Sequence, residues 1–475
     1  MRRTSTRCFF VLALSIFFLA FSFESLSASE SRLVWFSELK SVQAVDPDAN
    51  SVVRSISLPA SPSAVALDSR DGGVWVLVHD RLTKFTASGA PSLSMGIERI
   101  PFGLGDPKLL LTNPYNGSLW LAAGRELIQV SSEGKQIARF FAPKEIDSVA
   151  LDIDESLWVL ADRTLYRYSP SGVVITSIDF KRQPVWAERV TVDDLAGIVW
   201  VAGKRRLLRL NMNDLTAAPQ VLSLRDEEED EGDGSDLRRK IRALDVHPIF
   251  GTLWVATETE LLLFDRNGTP TKTVALPPAI GKVNEIRFDA ASLSLWVAGT
   301  GAVARFTGSG DAVALIPIDN NAEHVAVPPF TLRPTVSILE PLDGALTNNP
   351  RPSLRLSLGS QCTGVPCLLP DAYVRSLDIG AELNGLAIGP DFVMNGPEAT
   401  YSPPTRLPEG SNRLNARATD LFGHASEEAS SKFTIDTIPP KFISVAPADG
   451  TTVNKGTVVI SGSIDDPTAN VILVD

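Results

Sequence analysis

The sequence predicts an all-β protein in which a seven-bladed β-propeller is followed by a β-sandwich. An apolar tetrapeptide with tryptophan in third place occurs seven times, at Trp35, Trp75, Trp120, Trp158, Trp200, Trp254 and Trp296. Successive tryptophans lie 38 to 54 residues apart. A period in the low forties with several short strands per unit is typical of propeller blades. Short alternating strands after residue 333 predict the sandwich.

Each propeller unit contains four short apolar or alternating runs separated by turn residues. Around Trp158 these runs are SVALDI, SLWVLAD, TLYRYSP and SGVVITSIDF. Four such runs predict one four-stranded antiparallel blade, and a blade must stack on its neighbours to bury both faces. Tight turns are indicated by the dipeptides Asn116-Gly117, Ser171-Gly172, Asn267-Gly268 and Ser309-Gly310.

The two ends of the repeat region are incomplete in complementary ways. Ahead of Trp35 the first blade lacks an innermost strand, whereas AEHVAVPP follows the last complete unit and matches the other innermost strands. We therefore predict that Ala322 to Pro329 completes the first blade from the far end of the ring. This closure predicts seven blades within residues 30–330, with counts of six and eight left open.

Residues 334–437 carry the pattern of a β-sandwich, which takes about 100 residues. The pattern then restarts 106 residues later with the same three turn residues: Pro341, Asp343 and Gly344 in the first copy and Pro447, Asp449 and Gly450 in the second. Residues 438–475 are too few to complete a second module of that size. We therefore expect an incomplete module there, in the N-terminal part of a longer protein or in a truncated gene product.

Residues 1–29 have the order of a secretory signal peptide. Arg2, Arg3 and Arg7 precede an apolar run from Cys8 to Phe23, and small residues follow at positions 27–29. An uncleaved anchor is the alternative, but the run is short for a bilayer that needs about 20 residues. We expect a secreted or cell-surface protein, or a periplasmic one, with no membrane span after cleavage.

Charge and cysteine content bear on the partners and the compartment. The formal net charge of −12 argues against nucleic acid as a partner. Removal of the leader leaves two cysteines, Cys362 and Cys367, whose even number and short loop predict a disulfide in an oxidising compartment. Two unpaired thiols are the alternative.

The histidines and the repeated aspartates are the side chains that could act as ligands. The four histidines, His79, His247, His324 and His424, show no paired spacing, and we interpret His79 and His247 as solvated turn residues. Five aspartates fall near the end of a first strand: Asp68, Asp152, Asp193, Asp245 and Asp289. We interpret them as residues that cap their own turns rather than as a ring of metal ligands. The sequence therefore predicts no catalytic residue, no cofactor and no metal site.

Two parts of the chain resemble known families. The blade unit resembles the NHL and related propeller repeats of bacterial extracellular proteins. The segment from Leu407 to Gly423, LPEGSNRLNARATDLFG, is similar to bacterial immunoglobulin-like modules. Together these resemblances cover nearly all of the mature chain. They imply an immunoglobulin-like sandwich after the propeller and a display or adhesion role, as in the N-terminal regions of large surface or Rhs-type proteins.

The function expected from sequence is non-enzymatic recognition, adhesion or scaffolding, with a protein or glycan ligand at the propeller face. The alternative is a propeller enzyme, since the blade pattern is also similar to that of streptogramin lyases and related lactonases. An enzyme of this kind would bring histidine and carboxylate side chains together at one mouth of the propeller channel. A recognition face would show no such convergence.

The longest step between tryptophans contains an insertion, RDEEEDEGDGSDLRRK, with acidic residues between Asp226 and Asp236. Like charges at this density repel one another, which favours a solvated loop over a packed one. The loop joins the fourth strand of one blade to the first strand of the next, so it belongs to the face where propellers usually bind ligands. Basic turns at positions 124–125, 162–163 and 204–206 are expected on the same face.

We predict that replacing Asp226–Asp236 with a short Gly-Ser turn changes the free energy of unfolding by less than about 1 kcal/mol, because loop-closure entropy varies slowly with length. Urea unfolding of the variant and the native chain measures this. A loss of several kcal/mol, or tight calcium binding by the native loop, would identify a structural metal element instead.

Overall fold

The computed structural model describes residues 32–68, 70–97, 107–183, 185–224, 240–362, 365–366, 374, 376–420, 423–454 and 456–466. The predicted signal peptide at 1–29, the acidic segment Asp226–Asp236 and Cys367 lie outside these ranges. Within them the regular secondary structure is almost entirely β-strand, in four-stranded antiparallel sheets followed by two sheets of a sandwich. The predicted all-β propeller class is confirmed.

The propeller strands follow one another in the order innermost to outermost within each blade. Blade 1 contains β1 (Val34–Glu38), β2 (Ser41–Asp46) and β3 (Ser51–Ser57). Blade 2 contains β4 (Ala64–Asp68), β5 (Gly73–Val78), β6 (Arg81–Phe85) and β7 (Pro91–Gly96). Blade 3 contains β8 (Pro107–Thr112), β9 (Leu119–Ala123), β10 (Glu126–Val130) and β11 (Gln136–Phe141). Blade 4 contains β12 (Ile146–Leu151), β13 (Leu157–Ala161), β14 (Thr164–Tyr168) and β15 (Val174–Asp179).

The remaining blades keep the same order. Blade 5 contains β16 (Arg189–Asp193), β17 (Ile198–Ala202), β18 (Arg206–Asn211) and β19 (Gln220–Ser223). Blade 6 contains β20 (Ala243–Val246), β21 (Leu253–Ala256), β22 (Glu260–Phe264) and β23 (Pro270–Ala275). A short 3₁₀ helix at Pro278–Ile280 precedes blade 7, which contains β24 (Val283–Asp289), β25 (Ser294–Gly299), β26 (Ala302–Thr307) and β27 (Ala312–Pro317). The innermost strand of blade 1 is β28 (Val325–Ala326).

The first blade is completed by the far end of the repeat region, as the sequence predicts. Strand β28 pairs antiparallel with β1, with Ala326 opposite Trp35 and Val325 opposite Phe36. The paired segment is shorter than the predicted 322–329, because only two of its residues form a ladder. Side chains extend the closure: the Glu38 carboxylate accepts hydrogen bonds from the backbone N–H groups of residues 319 and 320, at 2.9 and 3.1 Å.

Packing between blades supplies the propeller core. Each of seven hydrophobic clusters joins two neighbouring blades and contains one repeat tryptophan. All seven of these tryptophans are at most 2% exposed. Neighbouring innermost strands contact one another around a closed cycle, from β4 through β24 to β28 and back to β4. The seven four-stranded sheets found in the described ranges therefore surround a central channel.

Two sheets pack face to face after the propeller. One contains β29 (Leu332–Glu340), β31 (Leu354–Cys362), β32 (Val365–Pro366), β35 (Val393–Asn395) and β36 (Glu398–Tyr401). The other contains β30 (Leu346–Thr347), β33 (Asp378–Leu383), β34 (Leu386–Ala387), β37 (Gly410–Thr419) and β38 (Ala429–Ile435). A short 3₁₀ helix lies at Gly389–Asp391. Buried residues of both sheets, including Leu356, Leu414 and Phe433, form one core, so this part is a β-sandwich.

The second copy of the turn sequence lies in a separate hairpin, between β39 (Phe442–Ala446) and its antiparallel partner β40 (Ser461–Ile464). Gly344 and Gly450, which correspond in the two copies, have the same left-handed φ of 77°. The apolar residues Phe442 and Val445 of this hairpin are exposed. In the described part of the chain no helix is long and apolar enough to cross a membrane.

The repeat tryptophans differ in one polar contact, which yields a stability prediction. The Trp158 Nε1–H donates a 2.9 Å hydrogen bond to the Asp152 carboxylate, whereas the buried Trp75 Nε1 has no partner among the described residues. A basic side chain lies over each ring, Arg167 at 5.1 Å and Lys84 at 5.6 Å, so the two sites are otherwise matched. An unsatisfied buried donor costs about 1–3 kcal/mol.

We predict that Trp158→Phe lowers the free energy of unfolding by about 1–3 kcal/mol more than Trp75→Phe does, because only the first substitution removes a made hydrogen bond. Chemical denaturation of the two variants in parallel measures the difference. Equal losses would show that the Asp152 contact contributes nothing to stability.

Candidate functional site

The blades present two different faces. On one face, called the upper face, lie the connections from outermost strands to the next innermost strands and the turns between second and third strands. The predicted basic turns are on this face: the backbone N–H of Phe180 bonds to the Arg163 carbonyl, and that of Ile241 bonds to the Lys204 carbonyl. The lower face carries the other two turns of each blade. Strand β19 ends and β20 begins on the upper face.

Four of the five repeated aspartates cap their own turns, as the sequence predicts, and these turns lie on the lower face. The Asp68, Asp152, Asp193 and Asp289 carboxylates each accept a backbone N–H from the turn that follows. These residues lie two positions after the residue that pairs with the blade tryptophan. Basic side chains neutralise several of them, for example Lys84 at 2.8 Å from Asp68 and Arg266 at 2.8 Å from Asp193.

Asp245 was wrongly aligned with this set. It pairs directly with Trp254 and so lies two residues earlier in its strand than the turn caps do. The capping position of blade 6 belongs to His247, whose Nδ1 accepts the backbone N–H groups of Ile249 and Phe250 at 3.2 and 3.3 Å. Asp245 instead reaches the next blade, where its carboxylate accepts the Phe288 N–H at 2.7 Å.

The interpretation of His247 as a solvated turn residue is also wrong. Its side chain is 2% exposed and packs against Phe250 and Phe288, with ring centroids 4.6 and 4.0 Å away. Burial lowers the pKa of His247 to about 4. His79 is exposed in a turn on the upper face, as expected.

The lower mouth of the channel is covered by the chain that leads into the sandwich. A cavity of about 230 Å³ lies there, and Pro328, Pro329 and Phe330 form part of its wall. Tyr115 fixes the start of the sandwich: its hydroxyl donates to the Leu332 carbonyl at 3.3 Å and accepts the Leu332 N–H at 3.1 Å. The Tyr115 ring stacks on His424 of the sandwich at a centroid distance of 3.7 Å.

Two carboxyl groups meet within this covered lower mouth. The pKa of Asp194 is raised well above its ordinary value by burial and by the negative charge of Asp152. Asp194 also accepts the backbone N–H of Ile153 at 3.2 Å. Because the linker and the sandwich lie over this end, we regard these carboxyl groups as part of the domain junction.

The upper mouth contains the candidate site. A cavity of about 220 Å³, called here the upper cavity, opens where the innermost strands begin. Its wall includes six charged or titratable side chains, Asp147, Arg189, Glu285, Arg287, Glu323 and His324. They come from blades 4, 5 and 7 and from the segment that closes blade 1, so the ring closure itself assembles the site.

Glu285 is the centre of an ionic network in this cavity. Its carboxylate lies 2.6 Å from the Arg287 guanidinium and 3.6 Å from Nδ1 of His324, and it accepts the Val325 N–H at 2.9 Å. Burial alone would raise the pKa of Glu285, but Arg287 and His324 outweigh it and lower the pKa to about 2. Glu285 is therefore ionised throughout the physiological range and orients both neighbours.

Sequence reasoning missed most of this network. His324 is one of four histidines without paired spacing, and Glu285, Arg287 and Arg189 are not among the residues that the sequence indicates as ligands. The available signal was NEIRFD, an innermost strand with charged residues at alternate positions where the other strands carry mainly apolar ones. The eighth tryptophan, Trp186, stands outside the repeated tetrapeptide, so the repeat pattern gives it no role. It is 61% exposed on the upper face.

The predicted disulfide and the predicted absence of a metal site both stay predictions. Cys362 is buried at the end of β31, but Cys367 lies outside the described residues, so the disulfide remains a prediction. Across the part of the chain that the structure describes, no group of three or more His, Cys, Asp or Glu residues is arranged to hold a metal ion.

The buried His247 gives a prediction on acid stability. Between pH 6.5 and about 4 the unfolded chain protonates this histidine while the folded chain keeps it neutral, so stability falls as pH falls through that window, by roughly 3 kcal/mol. Asn113 occupies the equivalent position in blade 3 and caps its turn with a neutral amide oxygen. We predict that His247→Asn keeps the fold and removes this part of the acid sensitivity.

Urea unfolding at pH 7 and pH 4.5 measures the effect, with His79→Asn in an exposed turn as the matched control. An unchanged pH dependence in His247→Asn would contradict the assignment.

Comparisons with known proteins show likeness in fold only. No family model matches the chain. No curated protein matches it. Among solved structures, a streptogramin B lyase shares 12% identity at a TM-score of 0.44, over 62% of this chain and 90% of the lyase. AztD from Citrobacter koseri, in its apo form, shares 9% identity at a TM-score of 0.45, over 62% of this chain and 96% of AztD. We infer nothing about activity from likeness at this level.

Proposed function

We propose that this chain is a secreted or surface-displayed recognition protein without enzymatic activity, which binds a protein or glycan through the upper mouth of its propeller. In this proposal the sandwich, and the module that begins after it, are immunoglobulin-like spacers. They hold the binding face away from the point of attachment. A purely scaffolding role is the version of the proposal in which the upper mouth binds nothing.

The observation that carries the proposal is the contrast between the two mouths. Pro328, Pro329 and Phe330 lie across the lower mouth, and the sandwich packs beside them through Tyr115 and Leu332. The upper cavity is lined by ionic side chains from several blades, and no described residue of the linker or the sandwich contributes to its wall. Concave sites with a few convergent polar groups are the usual place for ligands in folded proteins.

A second candidate function follows from His324 and Glu285. Histidine and carboxylate side chains do converge at one mouth, which is the arrangement expected of an enzyme. A carboxylate beside one ring nitrogen can orient an imidazole so that the other nitrogen acts as a general base. Recognition is favoured because Glu285 also pairs with Arg287 and accepts the Val325 N–H, which gives it a full structural role.

We predict that a tryptophan at position 323 blocks the site. Glu323 is exposed at the rim of the upper cavity, so Glu323→Trp fills the cavity without disturbing the core. Lys144→Trp, exposed on the same face but outside the cavity wall, is the matched control. Glycan and peptide arrays probed with the three proteins should give signals that Glu323→Trp loses and Lys144→Trp keeps.

Signals that persist in Glu323→Trp would place binding elsewhere, and a lack of any signal would favour the scaffold. The bound compounds should be recovered unchanged after incubation. If mass spectrometry instead finds them converted, and His324→Gln abolishes conversion but not binding, the enzyme is the correct function.

A further inference from the structure

Arg189 lines the upper cavity with a positive charge that pairs with no carboxylate among the described residues. It is the first residue of β16, and its Nε–H donates a 2.6 Å hydrogen bond to the Arg242 carbonyl on the next blade. That bond holds the guanidinium in place. Within the described ranges, its two terminal nitrogens have no protein acceptor and no carboxylate lies at ion-pair distance.

The neighbouring cations, by contrast, are paired. Arg287 lies 2.6 Å from Glu285, and Arg242 pairs with Glu258. Burial lowers the pKa of Arg189, and the charge of Arg242 acts in the same direction, against the opposing effect of Glu188 and Glu285. A cation that is partly removed from water without a counter-ion is costly, so this position is complementary to an anion.

The charge of the surroundings restricts the anion. Asp147 and Glu323 add negative charge to the same cavity wall, which disfavours a dianion such as phosphate. One guanidinium with two free terminal nitrogens matches one carboxylate, through two parallel N–H···O bonds. The volume of about 220 Å³ is below the roughly 300–1,000 Å³ of pockets that enclose a whole small molecule, so the cavity suits one end of a larger ligand.

Trp186 is exposed on the same upper face, outside the cavity wall but close to Arg189 along the chain. It precedes Arg189 by three residues, so their Cα atoms are at most about 11 Å apart. The Arg163 guanidinium lies 4.9 Å from the Trp186 ring and is itself bonded to the carbonyls of residues 180, 181, 183 and 185. A large aromatic side chain held in this way while 61% exposed is a preformed surface for stacking.

The upper cavity favours an acidic sugar over a peptide terminus. Capture of a peptide end relies on free backbone N–H groups. The wall of the cavity is formed largely by innermost strands, which pair with the second strands along one edge. On the other edge, the N–H groups of Val190 and Val325 already donate to the side chains of Ser148 and Glu285. A pyranose ring, in contrast, offers a flat apolar face to an indole and can carry a single carboxylate.

From these observations we propose that Arg189 binds the carboxylate of a uronic-acid-type sugar residue, in a short acidic oligosaccharide that stacks on Trp186. The proposal rests on the upper mouth being the binding site, as argued above. It names the chemical class of the ligand.

Isothermal titration calorimetry of the full chain with trigalacturonate tests the proposal, with the methyl-esterified trimer and maltotriose as neutral counterparts. We expect the native chain to bind the acid at least tenfold more tightly than either neutral trimer. Arg189→Gln should lose this preference, and Trp186→Ala should weaken binding of all three trimers. Arg81→Gln, which changes an exposed arginine on the same face, is the control and should bind as the native chain does.

Equal affinity for acid and ester, or an unchanged preference in Arg189→Gln, would overturn the carboxylate assignment. A different result would be binding of a peptide with a free C-terminus more tightly than its amide, without binding of trigalacturonate. It would show that the site binds peptide C-termini and that the proposed sugar ligand is wrong. If Glu323→Trp still abolishes the array signals in those cases, the upper mouth stands as the binding site. If array signals survive in both Glu323→Trp and Arg189→Gln, ligand binding through the upper mouth, which is the proposed function, is wrong as well.

Discussion

The packing of one buried tryptophan between each pair of neighbouring blades is the interaction on which the rest of this structure depends. A four-stranded blade exposes two apolar faces, and only another blade on each side removes both from water. The cluster that contains Trp296, Val34, Phe36 and Val325 joins the last blade to the first. The ring must therefore close, and closure brings the segment around residue 324 against blade 7.

Divergence at one repeated position turns this regular ring into a specific site. The residue that pairs with the blade tryptophan on the innermost strand is alanine in three blades, at Ala66, Ala150 and Ala326. It is Asp245 in blade 6 and Arg287 in blade 7. Because this position lies beside the channel, a charged residue there changes the channel while the tryptophan packing is kept. The turn position two residues later stays structural even where His247 replaces aspartate.

The two mouths of the channel differ because the chain leaves the ring across only one of them. The closing strand leads directly into Pro328, Pro329 and Phe330, which lie across the lower mouth, and Tyr115 holds the first strand of the sandwich there. Burial in that junction accounts for the raised pKa values of Tyr115 and Asp194. The upper mouth carries a paired network around Glu285 and one arginine that has no counter-ion in the described part of the protein. Its polarity is therefore available to a ligand.

The sequence by itself determined the propeller class, the four-stranded units and the strand exchange that completes blade 1, because hydrophobic periodicity and turn residues act over a few neighbouring positions. It also indicated that aspartates such as Asp68 cap their own turns, which is a local contact. The alignment of Asp245 with that set failed because a shift of two residues along a strand leaves the periodicity unchanged. Only the tertiary structure decided that His247 is buried and that Glu285, Arg287 and His324 meet. Those side chains come from different strands, and their distances and burial depend on how the ring closes, which no local pattern of residues encodes.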